Sequence, residues 1–554
     1  MELKANRQCT KVTIMVDILL IQPPVCDFYL TAKRTIPYGL ACIAAGLIEA
    51  GFSVQILDAL ATAKSRVVDP PQEMSYLQPF YGRADRSPFA LFHHFRHFGY
   101  AYDTIGQRVK KAQPFLVGIS SLFSAYADEA LQTARIVKTY HPDCKVVLGG
   151  HHATALPERV MDYEAVDFVL RGEAEQSFTL LANALRGAKS YDEIPGLVFR
   201  KPDGSLHVGN TFSSLNPDDL PLPAMQLIDH RYYRRNKRAA TVVVASRGCP
   251  LKCTYCSIGA SSPLSYRRRN VASVIREIET AVDRYNVGFI DFEDENLSLN
   301  RKWFLELLDE IRKRFDKKTL ELRAMNGLLP SSLDEQVIAA MQAAGFRTLN
   351  LSLGSTAKAQ LKRFQRPDLR SAFDRALEAA RTCDLQAVGY IIAGAPFQKA
   401  ADSLKDLLFL AERRVLAGTS VFYPSPGSKD YMLCASLGLL PHNFSCMRSS
   451  ALPLSHTTTR IESVTLLRLS RIVNFMKSMI DSGRPLPLPV KAANSMPTPA
   501  DRWEAGRHLL QFFLYDAIIR GVSPDGEVFE HEIDRELSRK FLAGLKSIRL
   551  RGCK

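Results

Sequence analysis

The sequence predicts an α/β protein in three parts: a doubly wound domain over 1–214, a (β/α)6 partial barrel over 241–432 reached through a linker at 215–240, and a mainly helical region over 433–554. Two observations carry the first two parts. Short apolar runs alternate with helical stretches in each, the pattern of a parallel sheet with helices on its faces. Between them, three prolines and two acids in Leu215–Pro223 (LNPDDLPLP) interrupt that alternation and read as an extended connector. A third observation closes the chain: from about 433 the pattern is helical, with two proline-rich interruptions.

In chain order, Val16–Gln22 and Val54–Asp58 read as strands with a helix over Tyr38–Ala50 between them. Leu116–Ser120, Lys145–Leu148 and Asp167–Leu170 read as three more, with a helix over Ala127–Tyr140. Ligands of such sheets lie beyond the carboxyl ends of the strands. A stretch at about 61–114 interrupts the pattern. It holds Tyr76, Phe80, Tyr81, Phe89, Phe92, Phe95, Phe98 and Tyr100 with His93, His94 and His97. So many rings mean burial, against the rest of the protein or against a ligand. Past the connector, strands are expected at Val242–Ser246, Gly288–Phe292, Leu320–Met325, Thr348–Ser352, Ala387–Ile392 and Ser420–Tyr423. Helices of ten or more residues separate most of them. Reactive groups of a barrel built this way sit at the strand carboxyl ends.

Composition narrows the function. With 46% hydrophobic and 23% charged residues, the chain is globular with apolar material for several cores. No uninterrupted run of about eighteen apolar residues occurs, which argues against a membrane span. Met1–Thr13 is polar and carries no signal-peptide pattern, so a cytoplasmic location is expected. The net charge of +15 is compatible with an anionic substrate, nucleic acid or a membrane surface. Acids are interleaved almost everywhere, however, which reads as a basic solvated surface. Of eleven cysteines, three fall within eight residues, and clustering of that kind points to metal or redox chemistry rather than a disulfide framework.

Those three stand in Ser246-Arg247-Gly248-Cys249-Pro250-Leu251-Lys252-Cys253-Thr254-Tyr255-Cys256, directly after the first barrel strand. Soft thiolates so close in one loop can grip iron from one side. Three protein ligands to a cubane leave one iron open to a cofactor. Zinc normally takes four protein ligands, or three and water, usually in two-residue pairs, and no matching CxxC or HxxxH occurs elsewhere.

The CxxxCxΦC pattern, with Tyr255 at the aromatic position, resembles the radical S-adenosylmethionine (SAM) superfamily over about 241–431. The resemblance implies a four-iron four-sulfur cluster on Cys249, Cys253 and Cys256. It implies that the open iron chelates SAM, and that reductive cleavage gives a 5′-deoxyadenosyl radical. An electron donor such as flavodoxin or ferredoxin is implied with it. Tyr255 would pack near the adenine. Glu293, Asp294 and Glu295 end the second strand where the family binds the SAM amine, although such a run can also cap the next helix. Ser352 and Gly354 at the fourth strand resemble the family's glycine–serine pattern without its usual glutamate. Ile391, within Gly389–Pro396, falls in the segment that resembles the family's adenine contact. Tyr423-Pro424-Ser425-Pro426-Gly427-Ser428 matches the family's sixth-strand ending.

Two segments of the first domain resemble the cobalamin-binding, flavodoxin-like domain of vitamin-dependent methyltransferases and mutases. Gly118-Ile119-Ser120-Ser121-Leu122 carries the Ser-x-Leu ending, and Leu148-Gly149-Gly150-His151-His152 the double glycine. The resemblance implies cobalamin contacts from Ser120, Leu122, Gly149, Gly150 and His151, with backbone at the glycines lying along the nucleotide tail. Arg171-Gly172-Glu173-Ala174-Glu175 is also usual there. The Asp-x-His-x-x-Gly motif is missing: the loop after the first strand runs Gln22-Pro23-Pro24-Val25-Cys26-Asp27. Imidazole is therefore not expected beneath the corrin.

A domain of this kind fused to a radical SAM barrel implies methylation of an unactivated carbon in a small-molecule or lipid-like substrate. Ring closure, rearrangement or carbon–carbon coupling without methyl transfer is the alternative. Transfer-RNA modification fits less well: relatives with that role carry a second cysteine-rich domain, whereas Cys9, Cys26 and Cys42 are sixteen or more residues apart. Nucleic acid is not an expected partner.

Overall fold

A computed structural model describes residues 15–29, 35–92, 94–209, 215–258, 266–493 and 501–554. Its first sheet has seven strands, in spatial order Val54–Asp58, Ile18–Gln22, Leu116–Ser120, Lys145–Gly149, Phe168–Leu170, Leu197–Arg200 and Leu206–Val208. The first five are parallel and, numbered along the chain, run 2-1-3-4-5, the flavodoxin order. Such strands are covered on both faces and read as continuous apolar runs. Leu19 and Ile21 pack under the helices Tyr102–Ala112 and Ala127–Tyr140. Ile18 and Leu20 point the other way, under Tyr38–Glu49 and Glu175–Arg186. The last two strands are an antiparallel hairpin absent from the sequence reading, because its three-residue return strand is too short to show alternation.

The aromatic stretch is mostly a packing element. Val25–Asp27, Arg96–Phe98 and Ser65–Val67 form an antiparallel ribbon. Phe28, Tyr81, Leu91 and Phe95 pack on Val421, Cys446, Leu452 and Val464 of the second half of the chain. The Tyr76 and Tyr81 hydroxyls donate to the carbonyls of Ala451 and Ser450 at 2.6 and 2.8 Å. His93 lies outside the described residues, and His97 is buried with Nε2 3.0 Å from the Tyr100 carbonyl.

The barrel strands are Arg238–Val243, Val287–Phe292, Glu321–Arg323, Thr348–Gly354, Gln386–Ala393 and Leu416–Val421. The third and fourth join through isolated parallel bridges, Leu322 to Phe346 and Leu328 to Leu351. The first strand starts earlier than its apolar run, because Arg238, Ala239 and Ala240 pair although they are only half-buried. The sixth also starts early, since Ala417-Gly418-Thr419 is too polar and small to look like a strand. Its outer edge is closed by the helix Arg460–Asp481. Asn474 Oδ1 accepts from the Ala417 N–H at 2.9 Å, and its Nδ2 donates to the Ala417 carbonyl at 2.8 Å. One side-chain amide thus satisfies Ala417, and Ser449 Oγ accepts from the Val421 N–H at 2.8 Å, on the edge where a seventh strand would pair.

Ion pairs hold the two sheets with their carboxyl ends facing. Arg247 reaches Glu175 at 2.6 Å and Glu173 at 3.2 Å, and Arg267 also pairs with Glu173. Arg448 reaches Asp27 at 3.2 Å, donates to the carbonyls of Cys26 at 2.6 Å and of Ala125, and is almost wholly buried. No described helix is long and apolar enough to cross a membrane.

Candidate active site

Between the facing sheets lies a cavity of about 1440 Å³. Cys249, Cys253 and Cys256 line it from the loop after the first barrel strand. That loop is held by neighbouring residues. The Thr254 hydroxyl donates to Asp430 at 3.0 Å, the Asp430 N–H returns to the Thr254 carbonyl at 2.9 Å, and the Thr254 N–H reaches the Phe364 carbonyl at 3.2 Å. Asn296 Nδ2 approaches Cys249 Sγ at 3.8 Å, while its buried Oδ1 has no partner in the protein. No three described His, Cys, Asp or Glu side chains converge as for a single metal ion. Thiolates that each take a different iron of a cubane need not converge on one point, and the donor set, all sulfur and on one side of an open cavity, fits such a cluster.

Around the cysteines the structure separates the expected SAM residues. Glu293 and Glu295 line the cavity, with Asn326 Nδ2 donating to the Glu293 carbonyl at 2.8 Å. Burial pushes the Glu295 carboxyl up. Asp294 turns away: it accepts from the Ser246 hydroxyl at 2.5 Å and the Ala245 N–H at 3.2 Å, tying the first two strands together. Burial raises its pKa to about 7. None of the three acids caps the next helix, which Asn300 caps through the Trp303 N–H at 3.1 Å.

Ser352 lines the cavity; Gly354 does not. At φ +81°, a Cβ on Gly354 would lie 3.6 Å from Arg366 Nε. Arg366 was not foreseen. Its guanidinium donates to the Tyr255 hydroxyl at 2.7 Å and to the Ser352 carbonyl at 3.0 Å, and its Nε is buried without a partner. No local pattern marks it: it follows the short helix Lys358–Phe364, and its partners come from other strand ends. Ile391 is displaced by one residue from its expected part. Its side chain sits in the outer core at 1% exposure, whereas Ile392 packs with Tyr255, Phe364 and Phe422. Alternate strand residues face opposite sides, so the inward position is 392. Behind the fourth and fifth strand ends, Asp406 accepts from Ser355 Oγ at 2.8 Å, the Thr356 N–H at 2.6 Å and Gln398 Nε2 at 3.3 Å.

On the opposite wall, Leu122, Phe123, Tyr126, His151 and His152 come from the third and fourth strand ends of the first sheet. Ser120 and Leu122 also line a smaller recess with Gln22, Pro23 and Pro24, at the switch point between the first and third strands, and no described histidine lines it. His151 faces the cavity, and enclosure by protein lowers its pKa. His152 Nδ1 sits 2.9 Å from Ser124 Oγ, its ring meets Phe444 edge-on at 4.8 Å, and burial takes its pKa down to about 4. Its Nε2 is buried without a partner.

Gly149 and Gly150 lie behind the loops that line the two spaces. Gly150 has φ +112°, and a Cβ there would lie 2.6 Å from the Ser121 carbonyl oxygen. The Ser121 N–H donates to the Gly149 carbonyl at 2.7 Å and the His152 N–H to the Ser121 carbonyl at 3.2 Å. The double glycine thus lets two ligand loops cross, and shapes the recess from behind.

Comparison with known proteins agrees with this layout. Residues 92–182 match the B12 binding domain and residues 243–410 the Radical SAM superfamily. An uncharacterized methyltransferase of Pyrococcus horikoshii is 27% identical over 340 residues, covering 61% of this chain and 73% of the relative. The cytidylyl-2-hydroxyethylphosphonate methyltransferase of Streptomyces wedmorensis is 25% identical over 462 residues, covering 76% and 82%. Among solved structures, the radical SAM methyltransferase TsrM of Kitasatospora setae, with tryptophan substrate and a SAM analogue bound, superposes with a TM-score of 0.59 at 16% identity, covering 89% of this chain and 94% of that one. At that identity the superposition speaks for the fold. The domain matches and the cysteine loop together place the chain in the radical SAM superfamily, among the enzymes whose barrel follows a B12-binding domain.

Proposed function

We propose that this enzyme methylates an unactivated carbon, using SAM twice and cobalamin once. The observation that carries the proposal is a single cavity: the three thiols and the switch-point loops face each other across it. Its 1440 Å³ exceeds the roughly 300–1,000 Å³ of a site for one small ligand. That is room for a cofactor from each wall and a substrate between.

The residues divide the work by position. Cys249, Cys253 and Cys256 hold the cluster, and Glu293, Glu295 and Ser352 face the SAM it carries. Arg366, tied to Tyr255 and the Ser352 carbonyl, fixes the adenine side of that pocket. Leu122, Phe123 and His151 face the corrin. When bound, the cluster with SAM supplies a 5′-deoxyadenosyl radical and cobalamin supplies a methyl group. Leu122, Leu329 and Tyr423 add apolar surface that excludes water from a reactive carbon. A neutral His152 beside that surface offers no proton at pH 7.

The test is turnover with methyl-labelled SAM by enzyme reconstituted without oxygen, over candidate acceptors. Labelled product is expected together with both S-adenosylhomocysteine and 5′-deoxyadenosine. A substrate consumed with 5′-deoxyadenosine alone and no label in the product overturns methylation in favour of ring closure or rearrangement.

A further inference from the structure

At its far end the cavity runs along the helix Arg460–Asp481 to the start of Arg502–Asp516. Arg471 and Arg502 line it there with Phe475 and Trp503. Arg471 donates to no acceptor and makes no ion pair among the described residues. Burial, and then the charge of Arg502, hold its pKa below the ordinary value. Arg502 spends only its Nε, on the Ser87 carbonyl at 3.1 Å.

Among the described residues no carboxylate forms an ion pair with either arginine, although the charge of Asp85 acts on Arg471. The buried carboxylate nearest in charge terms, Asp85, is committed to the Ser87 N–H, the Val522 N–H and His531, at 2.8, 3.2 and 2.9 Å. Asp501 is occupied in capping its helix through the Glu504 N–H at 2.8 Å. Across the residues outside the described set the sequence holds one acid, Glu2. Two guanidiniums facing a cavity with no direct ion-pair partner, and one carboxylate acting from a distance, are costly unless a ligand supplies charge. The surrounding rings are apolar, and the Arg484 guanidinium lies 4.0 Å from the Trp503 ring centre.

We propose that Arg471 and Arg502 are an anion subsite, and that the substrate carries a phosphate- or phosphonate-type group on an apolar body. Guanidinium forks match such an oxyanion bidentately, and two of them match its double charge. Resting on the reading that this cavity receives the methyl acceptor, the inference replaces "small-molecule or lipid-like" with an anionic organic molecule, bound charge-outward so that its apolar part reaches toward Ser420 and the cysteines.

Calorimetric titration of the reconstituted holoenzyme tests it, with phenyl phosphate, benzoate and benzyl alcohol as probes. Phenyl phosphate is expected to bind saturably, benzoate more weakly and benzyl alcohol not at all. Arg471→Gln should weaken phenyl phosphate by about tenfold or more, Arg502→Gln likewise, and Arg471→Lys by less. Iron and cobalamin contents of each variant report that it is folded and loaded. Unchanged affinity in both glutamine variants, no binding to the wild type, or equal binding of benzyl alcohol overturns the subsite. Because the probe is not turned over, the result is independent of methyl transfer. Phenyl phosphate held through Arg471 by an enzyme that consumes its substrate with 5′-deoxyadenosine alone and no label in the product keeps the subsite and refutes the methylase.

Discussion

Alanine at Cys249, Cys253 and Cys256 together is expected to take iron and sulfide from about four of each per chain to background, and to abolish SAM cleavage. The effect is close to total because nothing else can replace the thiolates. The described cavity wall around them offers Glu293 and Glu295, hard oxygen donors poorly suited to a sulfide cluster. The fold should survive the change. The loop is held by Thr254, Asp430 and the Phe364 carbonyl, so the apo variant keeps its circular dichroism and melting behaviour apart from what the cluster adds. Near-stoichiometric iron and sulfide in the triple variant contradict the assignment. Collapse of the fold in the triple variant would instead locate the stabilisation in the thiols themselves.

Gly150→Ala is expected to remove cobalamin while sparing the cluster. The residue sits at φ +112°, ψ 179°, a conformation open essentially to glycine alone. Its new methyl would meet Ser121 O at 2.6 Å, Ser121 C at 2.8 Å and Leu122 N at 3.0 Å. These are backbone atoms that cannot swing aside, so the loop after the third strand must shift with its hydrogen bonds. Strain and overpacking each cost about 1–3 kcal/mol. A total of about 3 kcal/mol, if released by abandoning the binding geometry, lowers affinity about a hundredfold. Cobalt and corrin absorbance should fall to near zero at equilibrium loading with iron unchanged. Full cobalamin occupancy in Gly150→Ala would show that the crossing of these loops does not shape the corrin site.

The sequence made some levels of this structure legible and hid others. Parallel strands buried on both faces announce themselves as apolar runs, so Leu116–Ser120 is found with the bounds the pattern gives it, and the helix Ala127–Tyr140 is found likewise from its helical pattern. The cysteine loop is local in sequence, so the three thiols that the resemblance offers to a cluster are found from their spacing, and all three line the cavity. Arg366 could not be found that way: it meets Tyr255 across 111 residues, and nothing local marks it. Which of Ile391 and Ile392 turns its side chain inward is hidden for a different reason, since a run of apolar residues does not say which alternate set faces inward. Asp294 and Glu293 look equivalent in a run of acids, yet a Ser246 hydroxyl 48 positions away captures one of them. Asn474 is the least legible. A helical amide serving a strand edge leaves no periodic trace, and only the small, polar sixth strand hints that its edge needs an unusual partner.

The ion pairs between Glu173, Glu175 and the barrel arginines illustrate the same division. Their segment was recognisable by resemblance, but what it does, docking one sheet's carboxyl ends onto the other's, depends on Arg247 and Arg267 from another domain. Everything proposed about function follows from that docking, because it turns two separate crevices into one cavity.

Electron paramagnetic resonance of the doubly reconstituted chain tests that convergence most directly. The Co(II) signal is recorded with the cluster oxidised and diamagnetic, and again with the cluster reduced. Cofactors facing one another across a single cavity should interact, so reduction is expected to broaden the Co(II) lines and speed their relaxation in the wild type, and to do neither in the triple cysteine variant. A Co(II) signal whose width and relaxation are the same in both cluster states would place the two cofactors in separate sites and contradict the shared cavity.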